Sequence, residues 1–139
     1  MSFLKIDNLS VNYRMRKETV NAVKNINFDV KKGEILGLVG ESGSGKSTLG
    51  SAIINLIDEP GKISGGKVIL DGINIHENMK DILKYRGKKI GLIFQDPQTS
   101  LNPLLTIGEQ LIETIQTHLN LNFKESKHRA ITLLQEVGI

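Results

Sequence analysis

An α/β fold is the architecture these 139 residues predict, and three observations carry it. Period-two alternation runs through the first thirty residues. A glycine-rich stretch, GLVGESGSGKSTLG at 37–50, then joins a continuous apolar run to a helical pattern. Helical spacing returns, with start signals, in the last third of the chain.

The elements follow in order. Leu9, Val11 and Tyr13 alternate with polar residues, and Ile26, Phe28 and Val30 alternate with Asn25, Asn27 and Asp29. Each pattern suits a strand with one wet face, hence antiparallel pairing. The polar segment RMRKETVN connects them. Lys31, Lys32 and Gly33 turn the chain into EILGLV at 34–39, where alternation stops; this predicts a strand covered on both faces. Past the glycines, Leu49, Ala52, Ile53, Leu56 and Ile57 recur on one helical face. DEPGKISGG breaks that helix, and KVILDGINI predicts a strand, a turn at Asp71-Gly72 and further strand. KKIGLIF is another short apolar strand, ending in the proline-bounded loop QDPQTSLNP. Thr106 with Glu109 forms a capping box for a helix through Leu119. Asn122 with Glu125 starts the last helix, with Ala130, Ile131, Leu134 and Val137 as its apolar face and Gly138 after its cap.

Composition sets bounds. Hydrophobic residues make up 39% and charged residues 24%, as in an ordinary globular chain. The net charge of +3 comes from scattered basic residues with no block or stripe, and the chain has only four Phe and two Tyr. Neither a nucleic-acid surface nor a base-stacking platform is indicated. Cysteine is absent, which excludes disulfides and thiolate metal sites and suits a reducing compartment. No apolar run approaches the ~18 residues of a membrane helix, so a membrane role is expected through a partner.

Gly40, Gly45, Lys46 and Ser47 satisfy G-x-x-x-x-G-K-[ST]. Glycines let the backbone wrap a phosphate with N–H groups pointing inward, and the helix that follows adds the positive end of its dipole. Lys46 is expected to reach the outer phosphates of ATP and the Ser47 hydroxyl to sit on Mg²⁺. The candidate nucleotide-binding set in this loop is Gly40, Glu41, Ser42, Gly43, Ser44, Gly45, Lys46, Ser47 and Thr48. The core expected around it is that of a P-loop NTPase.

Antiparallel strands before the P-loop and a β-segment inserted after its helix set this chain apart from small P-loop kinases. With those residues in view, the whole chain resembles the ATP-binding subunit of an ABC transporter. The loop FQDPQTSLNP, Phe94 to Pro103, resembles that of dipeptide, oligopeptide and nickel importers, although Gln98 stands where methionine or glutamate is usual. The resemblance implies an incomplete P-loop NTPase core with an N-terminal antiparallel β-subdomain of ABC type. It makes residues 1–139 the N-terminal part of one nucleotide-binding domain, with the P-loop at 40–47 and the Q-loop near 95, ending before the signature and Walker B elements. It places Tyr13 against adenine and makes Gln95 an auxiliary residue that contacts Mg²⁺ and the attacking water. Implied partners are transmembrane permease subunits, a second ATP-binding subunit and, indirectly, a solute-binding protein, at the cytoplasmic face of the membrane. No nucleic acid is expected.

Hydrolysis in that family needs a Walker B aspartate, its neighbouring glutamate, a later histidine and an LSGGQ signature. Two stretches imitate them. Asp58, Glu59 and Pro60 look like a Walker B end, but they close the helix that the cradle opens, roughly 16 Å from the phosphates. Ser64, Gly65 and Gly66 look like a signature, but they lead into a strand, whereas a signature must open a helix. Both are read as loop. Asp71 fits a hairpin turn, Asp96 has no adjoining glutamate, and His76, His118 and His128 are read as surface residues. No catalytic residue is therefore assigned in this chain, and these residues alone are expected to show no ATP turnover. Without a Walker B strand against the cradle strand, apolar sheet is expected to be exposed and the isolated chain marginally stable. Two other functions fit the cradle: a soluble ABC-type ATPase acting on nucleic acid or ribosomes, and a non-catalytic nucleotide-binding fragment. Peptide and nickel cargo are not separable from these residues.

Overall fold

The structure is a computed structural model that describes residues 2–77, 79–96 and 100–139. Gln98 and its neighbours Pro97 and Thr99, in the importer-like loop, lie outside the described residues. The chain forms two compact units, Met1–Ile90 and Gly91–Ile139.

The first unit is built on an antiparallel sheet of order β2-β1-β3-β4: β1 (Leu4–Arg14), β2 (Thr19–Val30), β3 (Gly61–Leu70) and β4 (Ile73–Asn74). The early alternation thus produces the antiparallel pair it predicts. Ile6 and Leu9 are both buried although three residues apart, which in a regular strand would put them on opposite faces. Asn8 resolves this: at φ 51° it sits where the register shifts, and the added residue returns Leu9 to the core face. Across from it, Gly66 has φ 90°, and a Cβ there would lie 2.4 Å from the Asn8 carbonyl oxygen. Only glycine fits that crossing. Asp71 at φ 51° and Gly72 at φ 82° form the tight turn from β3 to β4, as a two-residue hairpin with both central residues left-handed requires.

The core face of the sheet carries Ile6, Leu9, Val11, Val23, Val68 and Leu70, packed with Leu49 and Ala52 of helix α1 (Lys46–Ile53). Ile75 and Ile82 close the same core, Ile82 from helix α2 (Met79–Tyr85), an element the sequence reading did not include. The lookalike signature belongs to β3, where Ser10 pairs with Gly65 and Val11 with Ile63; it is strand rather than the loop expected, and it opens no helix. Asp58 and Glu59 lie in the turn before β3 and are not at the end of a strand beside the cradle.

Three expectations are corrected. Residues 34–39 are not a buried strand: they have no regular secondary structure, with Ile35 98% and Val39 96% exposed. The apolar run announces two covered faces, but a strand forms only where a neighbour completes its hydrogen-bond ladder, and among the described residues none pairs with it. KKIGLIF behaves the same way, reduced to one bridge between Arg86 and Ile90 with Ile93 92% exposed. Finally, α1 stops at Ile53 although the helical spacing continues to Ile57. Asn55 is left-handed at φ 55°, its N–H donates to Ala52 O at 3.0 Å, and the Leu56 N–H donates to Ser51 O at 2.8 Å. That pair of bonds is a Schellman end with asparagine in the glycine place.

The second unit is a helical hairpin of α3 (Ile107–His118) and α4 (Phe123–Glu136). Both predicted capping boxes form, with Thr106 and Asn122 as N-caps. Gly138 follows the last cap at φ 84°, as expected. The packed face of α4 is Ser126, Ala130 and Leu133, against Ile112 and Ile115; Ile131 and Val137, expected in the core, are exposed. Small residues at Ser126 and Ala130 let the two helices approach, so the contact turns away from the larger Ile131.

Candidate functional site

The glycine-rich loop ends at Gly45, the N-cap of α1. Gly45 has φ 89°, and a Cβ there would stand 2.4 Å from the Ala22 carbonyl oxygen of β2. The residue is therefore glycine for two reasons, a left-handed backbone and direct seating of the loop on the sheet. Within the loop the Ser44 N–H donates to Glu41 O at 3.2 Å, closing a turn. Lys46 folds back over it: its ammonium donates to Gly40 O at 2.8 Å, to Glu41 O and to Ser44 Oγ at 3.2 Å. Gly40, Ser44, Gly45 and Lys46 share a cleft of about 310 Å³ with Ala22 and Val23 of β2. Ser42 and Gly43 form the exposed bend of the loop, Ser47 is exposed in the first turn of the helix, and Thr48 is half-buried.

The two ends of α1 differ. At the N-terminus no side chain caps the helix and no acidic residue lies in its first turn. In α3 and α4, by contrast, a Thr or Asn accepts from the third helical N–H and a glutamate reaches back to the cap N–H. The leading N–H groups of α1 are thus left without a capping side chain, together with the positive end of the dipole. At the C-terminus the carbonyls are taken by side chains from far along the chain. Arg86 Nε donates to Ile54 O at 2.8 Å and its Nη2 to Asn55 O at 2.6 Å. His76 Nε2 lies 3.0 Å from Ile53 O, and since a carbonyl only accepts, Nε2 carries the proton. Burial pushes His76 below its ordinary 6.5, its hydrogen bonds to backbone pull the other way, and the Arg86 charge adds to the depression. His76 Nδ1 is buried with no hydrogen-bond partner among the described residues.

His76 and His118, both read as surface residues, are half-buried; His128 is exposed as expected. His76 leaves the surface because the turn after β4 brings it to the end of α1, an encounter between distant segments. Arg86 was missed for the same reason: in KYRGKK it is one basic residue among several, and its partners stand 31 and 32 residues earlier. No local signal reveals it.

Tyr13 pairs with Val20 and Gly61 in the sheet, and its ring covers Gly61, where a Cβ would come within 2.6 Å of Tyr13 Cε1. It packs on the core and is not among the residues lining the cleft. Gln95 is exposed in the second unit, bordering a shallow depression with Phe94, Asp96 and Ser100. Among the described residues no group of three or more His, Asp or Glu could hold a metal ion. A cation held between Ser47 and phosphate oxygens needs no such group. Among the described residues no helix is long and apolar enough to cross a membrane.

The family described as "ABC transporter" matches residues 23–139. The oligopeptide transport ATP-binding protein AppD of Bacillus subtilis is 42% identical over 99% of this chain and 42% of its own length. The dipeptide transport ATP-binding protein DppD of Escherichia coli is 42% identical over 100% of this chain and 43% of its own. Among solved structures, the ATP-binding cassette MJ0796 in a dimeric post-hydrolysis state with ADP and Pi superposes with a TM-score of 0.80. It is 33% identical and is matched over 95% of this chain and 56% of its own. CbiO1 of Clostridium perfringens, part of the transporter complex cbiONQ, superposes at 0.67 with 28% identity, covering 99% of this chain and 51% of its own. The chain thus spans about two fifths of the length of these curated relatives. The fold class expected from the sequence, an N-terminal antiparallel β-subdomain on a P-loop core, is the one these solved cassettes share with it.

Proposed function

The chain belongs to the ABC transporter family, and from that premise we propose that it forms the phosphate-binding part of the ATP-binding subunit of a peptide importer. One observation carries the nucleotide reading: the α1 N-terminus, alone among the three helices whose caps are described, has no capping side chain. Its N–H groups and dipole are what a phosphate requires. Gly45 brings that end close to β2.

Lys46 holds its ammonium at the loop with carbonyl and hydroxyl partners that it can exchange for phosphate oxygens. Its charge then meets full opposite charge on the outer phosphates instead of the dipoles of Gly40 and Glu41. We assign Mg²⁺ to the Ser47 hydroxyl, which stands exposed in the first helical turn, and adenine stacking to Tyr13. For Gln95 the resemblance supports contact with Mg²⁺ and the attacking water. When bound, Mg²⁺ would neutralise charge on the outer phosphates.

In the whole protein, ATP binding and hydrolysis would be coupled to solute uptake. The partners would be permease subunits and a second ATP-binding subunit, with a solute-binding protein acting indirectly, at the cytoplasmic face of the membrane. The names of the relatives support peptides over nickel as cargo. They equally favour transport over action on nucleic acid.

The test is nucleotide titration of the full chain with and without Lys46. Lys46→Ala is expected to weaken ATP binding at least about ten-fold, the scale of one lost charge-assisted contact. Unchanged affinity in that variant would overturn the nucleotide reading.

A further inference from the structure

We propose that Arg86 and His76 are positioning residues for the nucleotide: they hold the C-terminal end of α1 so that the N–H groups at its other end converge on one phosphate. The inference rests on the nucleotide reading above and extends it to residues outside the P-loop.

Three observations support it. First, α1 is short, Lys46–Ile53, and buries only Leu49 and Ala52. These two, with Ile53 packed partly buried beside them, lie on a single stripe, which restrains a helix against lifting but weakly against tilting. Second, every carbonyl from Ser51 to Asn55 has a partner. Ser51 and Ala52 accept from the Schellman turn, Ile53 from His76, and Ile54 and Asn55 from the two arms of one guanidinium. A planar fork bridging two consecutive carbonyls fixes direction as well as distance, which a single flexible donor does not. Third, Arg86 is itself tethered. Its N–H donates to Ile82 O at 3.0 Å, Ile82 is fully buried, and Arg86 forms the bridge to Ile90.

The lever arm gives the size of the effect. A helix of eight residues is about 12 Å long, so a tilt of roughly 5° about its C-terminal end moves the N-terminus by about 1 Å. Hydrogen bonds to phosphate span a narrow range of distance, and a misplacement of about 1 Å is enough to cost up to about a hundred-fold where geometry is demanding. Arg86 and His76 sit at the end of α1 opposite the phosphate donors, so they act through the helix.

The experiment is titration of the full chain with a fluorescent ATP analogue, comparing wild type, Arg86→Lys, Arg86→Gln, His76→Gln and Lys46→Ala. Stoichiometry and far-ultraviolet circular dichroism are read alongside the Kd. Arg86→Gln is expected to raise Kd about ten-fold or more, and Arg86→Lys, which keeps the charge but cannot bridge both carbonyls, about three-fold or more. His76→Gln, whose amide can still donate to Ile53 O, should stay within about two-fold of wild type. Stoichiometry should remain one per chain. A lower bound fraction with unchanged Kd would mean Arg86 only keeps the chain folded, and the inference would fail. If Arg86→Gln does not fold, Arg86→Lys decides: a wild-type Kd in that variant overturns the proposal. Lys46→Ala separates the two readings. If it loses binding while the Arg86 variants do not, only this inference falls; if it binds as wild type does, the nucleotide reading falls with it.

Discussion

His76 links a pH dependence to the end of the cradle helix. Folding buries its neutral form, which holds Ile53 O through Nε2, and leaves Nδ1 without a partner among the described residues. Protonation would add a buried N–H and a charge near Arg86, so the folded-state pKa lies below the ordinary 6.5 while the unfolded chain keeps about that value. The unfolded state therefore binds the proton first. The stabilisation is full above the unfolded pKa and is lost as pH falls through it toward the folded value. Urea midpoints of the wild-type chain should drop between about pH 7.5 and pH 5.5, and His76→Gln should reduce that drop. An equal drop in the variant would show that other groups carry the dependence. Lys46, Ser47 and Gly45 were legible at this scale because their pattern is local and chemically specific. Arg86 was not, because its partners come from a segment that only the folded chain brings near.

Helix ends show how far local chemistry reaches. Both capping boxes and the left-handed Gly138 were readable from a few adjacent residues, since each motif closes within one or two turns. The early end of α1 was not, because Leu56 and Ile57 keep the helical spacing while Asn55 turns left-handed under carbonyls that Arg86 occupies. Residues 34–39 and 88–94 fail for a related reason: an apolar run states how many faces are to be covered but supplies no neighbour for the backbone. At this scale the caps make a prediction. Thr106→Ala removes an acceptor for the Glu109 N–H and one of the two donors to its carboxylate, and should destabilise the chain by about 1 kcal/mol in chemical denaturation. No change would mean that α3 does not unfold with the measured transition.

Taken whole, the chain exposes an unusual set of large apolar side chains, including Ile35, Val39, Ile93 and Leu104, each at 88% or more. Such residues cluster in the sequence at 34–39, 91–94 and 101–107, where a monomeric protein normally has cover. The expectation of marginal stability rests on this exposure, and thermal melting tests it. On warming, the full chain should melt over a broad range and scatter light in a concentration-dependent way. A sharp, reversible melt would contradict that. The bare α1 terminus has a practical corollary for all such measurements. A donor set that takes one tetrahedral oxyanion takes others, so if the proposed site holds phosphate, phosphate or sulfate in a buffer would compete for it. Affinities measured in those salts would understate the site, and the same salts would act as mild stabilisers of the fold.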